Sequence, residues 1–164
     1  MKINETVEKA LNEQINRELY SAYLYLAMAA YLDDLNLPGA AHWMRIQAQE
    51  EIGHAMKLYD YVVERRGRVV LEGIAKPPAE WGSITDVFES ALKHEEEITS
   101  HINNLVDLAQ EEGDHATVSM LKWFVDEQVE EEDSVDTILQ KLKYLGEDGR
   151  SLIILDRELA QRQG

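Results

Sequence analysis

The stretch Ala48-Gln49-Glu50-Glu51-Ile52-Gly53-His54-Ala55, AQEEIGHA, lies inside a segment whose apolar residues recur with a helical period. Glu51 and His54 are three residues apart and therefore share a helix face. Met44, Ala48, Ala55, Leu58 and Val62 fall on that same face. A helix buries such a stripe against its neighbours, so the stretch puts a carboxylate and an imidazole where leucines are expected.

Three other segments carry the same interruption. One stripe reads Val7, Leu11, Ile15, Glu18, Ala22, Tyr25, Ala29, Leu32; a second reads Phe88, Leu92, Glu95, Ile98, Ile102, Leu105, Ala109. The third reads Leu121, Phe124, Gln128, Glu131, Val135, Ile138, Leu142. A lone polar residue in a stripe usually marks a rim, but one per helix on four helices marks a layer. Desolvating a carboxylate costs several kcal/mol unless something neutralises it. No lysine or arginine lies on the stripes at these levels. A pair of divalent cations would supply the missing charge, and carboxylates with little imidazole suit iron or manganese. Glu-x-x-His on one helix with single glutamates on the others points to a carboxylate-bridged di-iron bundle. Glu51 and His54 are thus expected to be metal ligands, with Glu51 placed to bridge two ions.

The 164 residues suit one domain, taken as 1–164, with a sizeable core. Sixteen basic against 32 acidic residues leave a net charge of −16, which argues against nucleic-acid binding and permits cation binding. The absence of cysteine excludes disulfides and thiolate metal sites. The N-terminus MKINETVEKALNEQ has no apolar signal region, and no segment has 18 uninterrupted apolar residues. A cytoplasmic protein with no membrane partner is the expectation.

Prolines occur only at 38, 77 and 78, and between breaks the period is helical. The spacing predicts an all-α chain with helices at about 5–33, 39–66, 84–112, 115–145 and 150–161. Asn4 or Thr6 starts the first helix and Ser83 caps the third; Gly67, Gly113 and Gly146 stop the second, third and fourth. Short turns make the first and second helices antiparallel, and likewise the third and fourth. The connection 67–83 exceeds the roughly 12–15 residues of an ordinary loop. Extended, it reaches about 55 Å, longer than the roughly 42 Å of the second helix. It can therefore run the length of a four-helix bundle and leave the second and third helices parallel. VVLEGI within it has strand character and is expected to lie against the bundle or a partner chain.

A second acidic cluster, Asp126 to Asp133, puts Glu127, Glu130 and Glu131 on one face, and Glu50 adjoins Glu51. It reads either as a third, weaker cation site or as a solvated face. Gly53 either makes room for a close neighbour or ligand or is a tolerated accident. His42, His94, His101 and His115 share no spacing with the stripes and are expected at the surface or in caps. Tyr25 lies two turns beyond Glu18 on its face, where it can hydrogen-bond a ligand or donate an electron; Trp123 is expected to pack.

The chain resembles the non-haem bacterial ferritins over essentially its whole length. NEQINRELYSAYLYLAMA, AQEEIGHAMKLYDYV, LKWFVDEQVEEE and the closing LIILDRELA carry the likeness. The resemblance implies a ferritin-like four-helix bundle with one long crossover between the second and third helices, plus a short fifth C-terminal helix. It implies a hollow homo-oligomer of 24 chains that oxidises Fe(II) with oxygen and stores ferric mineral. Carried over by position, Glu18, Glu51 and His54 would hold one iron, and Glu51, Glu95 and Glu131 the second. Gln128 would hydrogen-bond near the pair with Tyr25 beside it, and Glu50, Glu127, Glu130 and Glu131 would form a third site. Bacterioferritins carry a second E-x-x-H where this chain has Gln128-Val129-Glu130-Glu131, and a haem-ligating methionine where it has Ile52. No haem is expected, and without cysteine the chain departs from the rubrerythrins. The alternative is a soluble di-iron oxidase or peroxidase that uses the same residues without storing mineral.

Overall fold

In the computed structural model, which describes residues 1–164, the chain folds into five helices: α1 (Glu5–Asp34), α2 (Pro38–Glu64), α3 (Ile84–Glu111), α4 (His115–Leu145) and α5 (Gly149–Leu159). The sequence places their starts because the first turn of a helix leaves its N–H groups unpaired, and a short polar side chain can accept from them. Asn4 accepts from Val7 N at 2.8 Å, Ser83 from Asp86 N at 3.1 Å, Asp114 from Thr117 N at 3.1 Å and Asp148 from Ser151 N at 3.0 Å.

Helix α2 is the exception. It begins with Pro38, and Leu37 before it has no capping side chain. The cap comes from α5 instead: the Asp156 carboxylate accepts from Gly39 N at 3.1 Å and Ala40 N at 2.8 Å. A carboxylate at a helix N-terminus also meets the positive end of the helix dipole. With Leu155 and Leu159 buried in the core, this fixes α5 across the start of α2.

The second helix ends at Glu64, two residues before the expected stop. Arg66, not Gly67, takes the left-handed conformation, with φ 58°. Gly67 follows where the chain passes close to α1; a Cβ there would come within 2.9 Å of both Ile3 and Glu8. Arg65 anchors this corner through paired bonds to Asp114 at 3.0 and 3.2 Å and a third to Met1 O at 3.0 Å.

The crossover that follows contains no strand, so the strand character of VVLEGI is not realised. Its backbone is bonded to side chains of α1. Asn12 donates to Arg68 O at 2.9 Å and accepts from Val70 N at 2.9 Å, while Asn16 donates to Glu72 O and Gly73 O at 3.3 and 3.2 Å. The segment thus spans the bundle and leaves α2 and α3 parallel. Exposed Val70, Leu71 and Ile74 lie along it.

The apolar core is in two parts. One contains Met28, Leu32, Met44, Phe88, Val135 and Leu142; the other contains Leu11, Ile15, Leu58, Ile102, Leu121 and Phe124. Between them, at mid-bundle, lies a buried polar layer.

Candidate metal centre

The layer is built from the interruptions in the four stripes. Glu18 comes from α1, Glu51 and His54 from α2, Glu95 from α3, and Gln128 and Glu131 from α4; all six are buried. Mid-helix positions with saturated backbone hydrogen bonding hold these side chains rigidly. Ligand atoms of Glu18, Glu51 and His54 lie within 4.8 Å of one another, and so do those of Glu51, Glu95 and Glu131. The two triads share Glu51. A third group, His54, Glu127 and Glu131, meets the same criterion.

His54 faces carboxylates with both ring nitrogens. Nδ1 lies 3.1 Å from Glu51 and 4.0 Å from Glu18; Nε2 lies 3.9 Å from both Glu127 and Glu131. The edge of Trp123 packs on the imidazole, centroid to centroid 5.4 Å, with Lys57 Nζ 4.1 Å over the indole. Trp123 therefore packs, as expected, and does so against His54 of the layer.

Each carboxylate is held from outside the pair by a neutral donor. Gln14 donates to Glu18 at 3.1 Å, Gln47 to Glu51 at 3.0 Å and to Glu131 at 2.6 Å, and Gln128 to Glu95 at 3.1 Å. Tyr25 donates to the other oxygen of Glu95. One oxygen, Glu18 Oε2, has no partner, and it is the only buried side-chain polar atom without one. A buried unpaired acceptor costs roughly 1–3 kcal/mol, more if charged.

Electrostatics point the same way. Burial is the largest cause raising Glu18, Glu51 and Glu95 above the usual carboxylate range, and neighbouring carboxylates add to it for Glu18 and Glu51. Glu131 is raised to about 8, by burial first and then by Glu95. Burial likewise raises the Tyr25 phenol, with Glu95 next in effect. Without a counter-charge, burial favours the protonated form of each of these acids. Two divalent cations would balance four ionised carboxylates and give Glu18 Oε2 a partner, so the donor set fits a pair of hard cations.

Of the remaining expected residues, Glu127 is half-buried beside His54, whereas Glu130 is exposed and joins no cluster. Glu50 is paired with Arg162 at 3.0 Å and lies in none of the donor groups. Gly53 makes no close approach: a Cβ there would meet nothing within 4 Å.

Three histidines lie deeper than the surface or cap positions expected of them. His94 is half-buried, with Nε2 2.7 Å from Ser21 Oγ and its ring edge-on to Tyr25. His42 Nε2 lies 2.8 Å from the Arg162 carbonyl. His101 is half-buried, and His115 is exposed at the start of α4 as expected. The supporting residues Gln14 and Gln47 stand outside the four apolar stripes. Their signal is in the spacing: each stands four residues before a glutamate of the layer, the separation at which glutamine pairs with an acid on a helix.

The profile of the ferritin-like domain family matches residues 8–145. The chain belongs to the ferritin family. It is 42% identical to a non-heme ferritin of Staphylococcus saprophyticus, over 98% of this chain and 96% of that one. It is 41% identical to a non-heme ferritin of Bacteroides fragilis, over 98% and 99%. Among solved structures, an open-pore ferritin from the hyperthermophilic archaeon Archaeoglobus fulgidus superposes with a TM-score of 0.97 at 52% identity, covering 98% of each chain. The ferritin-like bundle with one long crossover and a short fifth helix is therefore the fold, and iron storage is the function the family gives this ferritin. No helix is long and apolar enough to cross a membrane.

Proposed function

We propose that this ferritin is a ferroxidase: it binds two Fe(II) ions as substrate in the mid-bundle layer, oxidises them with dioxygen, and stores the product as ferric mineral inside a shell of 24 copies. Glu18, Glu51 and His54 take one ion, and Glu51, Glu95 and Glu131 the other. The observation that carries this reading is the pair of buried donor triads sharing Glu51, with Glu18 Oε2 left without a partner.

Each Fe(II) gives one electron to the same dioxygen, which takes up two protons and leaves as hydrogen peroxide. Fixing both ions in one site makes the two-electron step intramolecular. The surrounding side chains orient the ligands. Gln47, Gln128 and Tyr25 each hold a carboxylate oxygen, fixing which lone pairs face the ions. Binding the ions displaces protons from the raised carboxylates. Oxidation then gives the pair more positive charge than the four carboxylates balance, which favours hydrolysis and departure toward the store.

Residues 1–164 act as one ferritin-like domain, because α5 caps α2 and fills the same core. Assembly is supported by exposed Tyr23, Leu26, Leu71 and Ile74 along α1 and the crossover, since such apolar surface usually marks an interface. A third, weaker cation position fits His54, Glu127 and Glu131 better than a set including Glu50 and Glu130. A cytoplasmic setting, where Fe(II) is available, completes the reading.

The test is aerobic loading of metal-free protein with excess Fe(II), followed by size-exclusion chromatography with iron quantified across the profile. Iron far above three ions per chain, co-eluting with a very large particle, is the expected result. Iron levelling near two per chain on a small oligomer would instead mean a di-iron oxidase without storage.

A further inference from the structure

The carboxamide of Gln47 sits between the metal layer and the end of the chain, and it is fully buried. Its Nε2 donates to Glu51 at 3.0 Å and Glu131 at 2.6 Å. Its Oε1 accepts from Arg162 Nη2 at 2.9 Å. An amide offers donors on one side and an acceptor on the other. Turned over, Gln47 would put its oxygen against two carboxylates and its NH2 against a guanidinium. Arg162 donates only, so it permits one orientation.

Arg162 is itself fixed. Nη1 donates to Trp43 O at 3.1 Å, the guanidinium lies 4.1 Å over the Trp43 ring, and Nη2 also donates to Glu50 at 3.0 Å. Its carbonyl lies 2.8 Å from His42 Nε2. Upstream, Asp156 caps α2 and Leu155 and Leu159 are buried. The end of the chain is thus held along the first half of α2, one turn before Glu51. A second arrangement of this kind occurs on α1, where Arg17 donates to Gln14 Oε1 at 3.2 Å and Gln14 donates to Glu18 at 3.1 Å.

We propose that Arg162 is a positioning residue for the metal centre. Through Gln47 it fixes the Glu51 and Glu131 carboxylates, the bridging ligand and a ligand of the second ion, so that docking of the C-terminal segment sets metal affinity. The inference rests on the ferroxidase reading above. It makes the polar layer continuous with a contact at the chain's far end, and it assigns Glu50 to holding Arg162 rather than to a metal ion.

Anaerobic Co(II) titration of the assembled metal-free protein tests this, with visible d–d absorption reporting ligand geometry and occupancy. Arg162→Gln should weaken binding of one Co(II) by about 5- to 20-fold and change the d–d bands, with particle size and helical content unchanged. Gln47→Ala should weaken the same ion. The double variant should be no weaker than Gln47→Ala alone, because Arg162 acts through Gln47. Full additivity would overturn the proposal, as would an Arg162→Gln titration identical to wild type. Should Arg162→Gln disturb assembly, the same cycle is read with Arg162→Lys, which keeps the cation and loses the planar pair of Nη donors. Wild-type protein that takes up no Co(II) would overturn the ferroxidase reading and this one together. Wild-type uptake of two ions per chain with no dependence on Arg162 would overturn this one alone.

Discussion

Tyr25 on α1 donates its hydroxyl to the Glu95 carboxylate on α3, and neither side chain reaches solvent. The bond joins two helices across the polar layer and holds one oxygen of the carboxylate proposed to take the second ion. A hydrogen bond to a charged group contributes roughly 1.5–3 kcal/mol. Tyr25→Phe keeps the ring and removes only the donor. Stopped-flow oxidation of the first two Fe(II) per chain should slow by roughly 3- to 30-fold, with helical content unchanged by circular dichroism. An unaltered first turnover would remove Tyr25 from the site.

Glu18 carries a buried oxygen without a partner. Glu18→Gln removes an acid that burial disfavours in its charged form, so the metal-free protein should gain stability, on the order of 1–3 kcal/mol at pH 8. The same change should slow Fe(II) oxidation at least ~10-fold, because one ion loses a charged ligand. Thermal unfolding without metal and oxidation rate with it should therefore move in opposite directions. A variant that is both less stable and fully active would contradict the assignment.

The raised carboxylates fix the sign of a pH dependence. Burial, and then Glu95, raises the Glu131 carboxyl from the ordinary 4.5 to about 8 in the folded chain. Between those values the folded state binds more protons than the unfolded state, so metal-free stability falls as pH rises through that window. Glu18, Glu51 and Glu95 are shifted in the same direction. Melting of metal-free protein should drop from pH 5.5 to pH 8.5, and Glu131→Gln should flatten the slope. Zn(II) should stabilise more at pH 8 than at pH 6, because it replaces protons. Equal Zn(II) stabilisation at both values would show that the layer does not bind the metal.

Gly39 lies against α5, where an added Cβ would stand 1.9 Å from the Asp156 backbone oxygen. Backbone cannot yield as a flexible side chain can, so Gly39→Ala should cost about 2–3 kcal/mol. Limited proteolysis should then cut within residues 146–164, leaving α1 to α4 intact. Protease resistance equal to wild type would mean that α5 is not held by this contact.

The four stripes were readable because a helix maps sequence period onto a face, and desolvation makes a carboxylate on that face conspicuous. All six residues of the layer named from the stripes are buried together. Glu50 and Glu130 were less readable: an acidic run such as Asp126–Asp133 covers every face of a helix, so period cannot separate ligands from solvated charge. The half-burial of His94 depends on Ser21 and Tyr25, on another helix, which the period of its own helix does not show.

The sequence by itself determined the helices, their order, the parallel return forced by the long crossover, and the acidic layer at mid-bundle. These follow from local capping, period and chain length. Only the tertiary structure decided that Asp156 caps α2 and that Arg162 reaches Gln47. Those contacts join residues more than a hundred positions apart. Their geometry is set by how helices pack, and no local pattern encodes it.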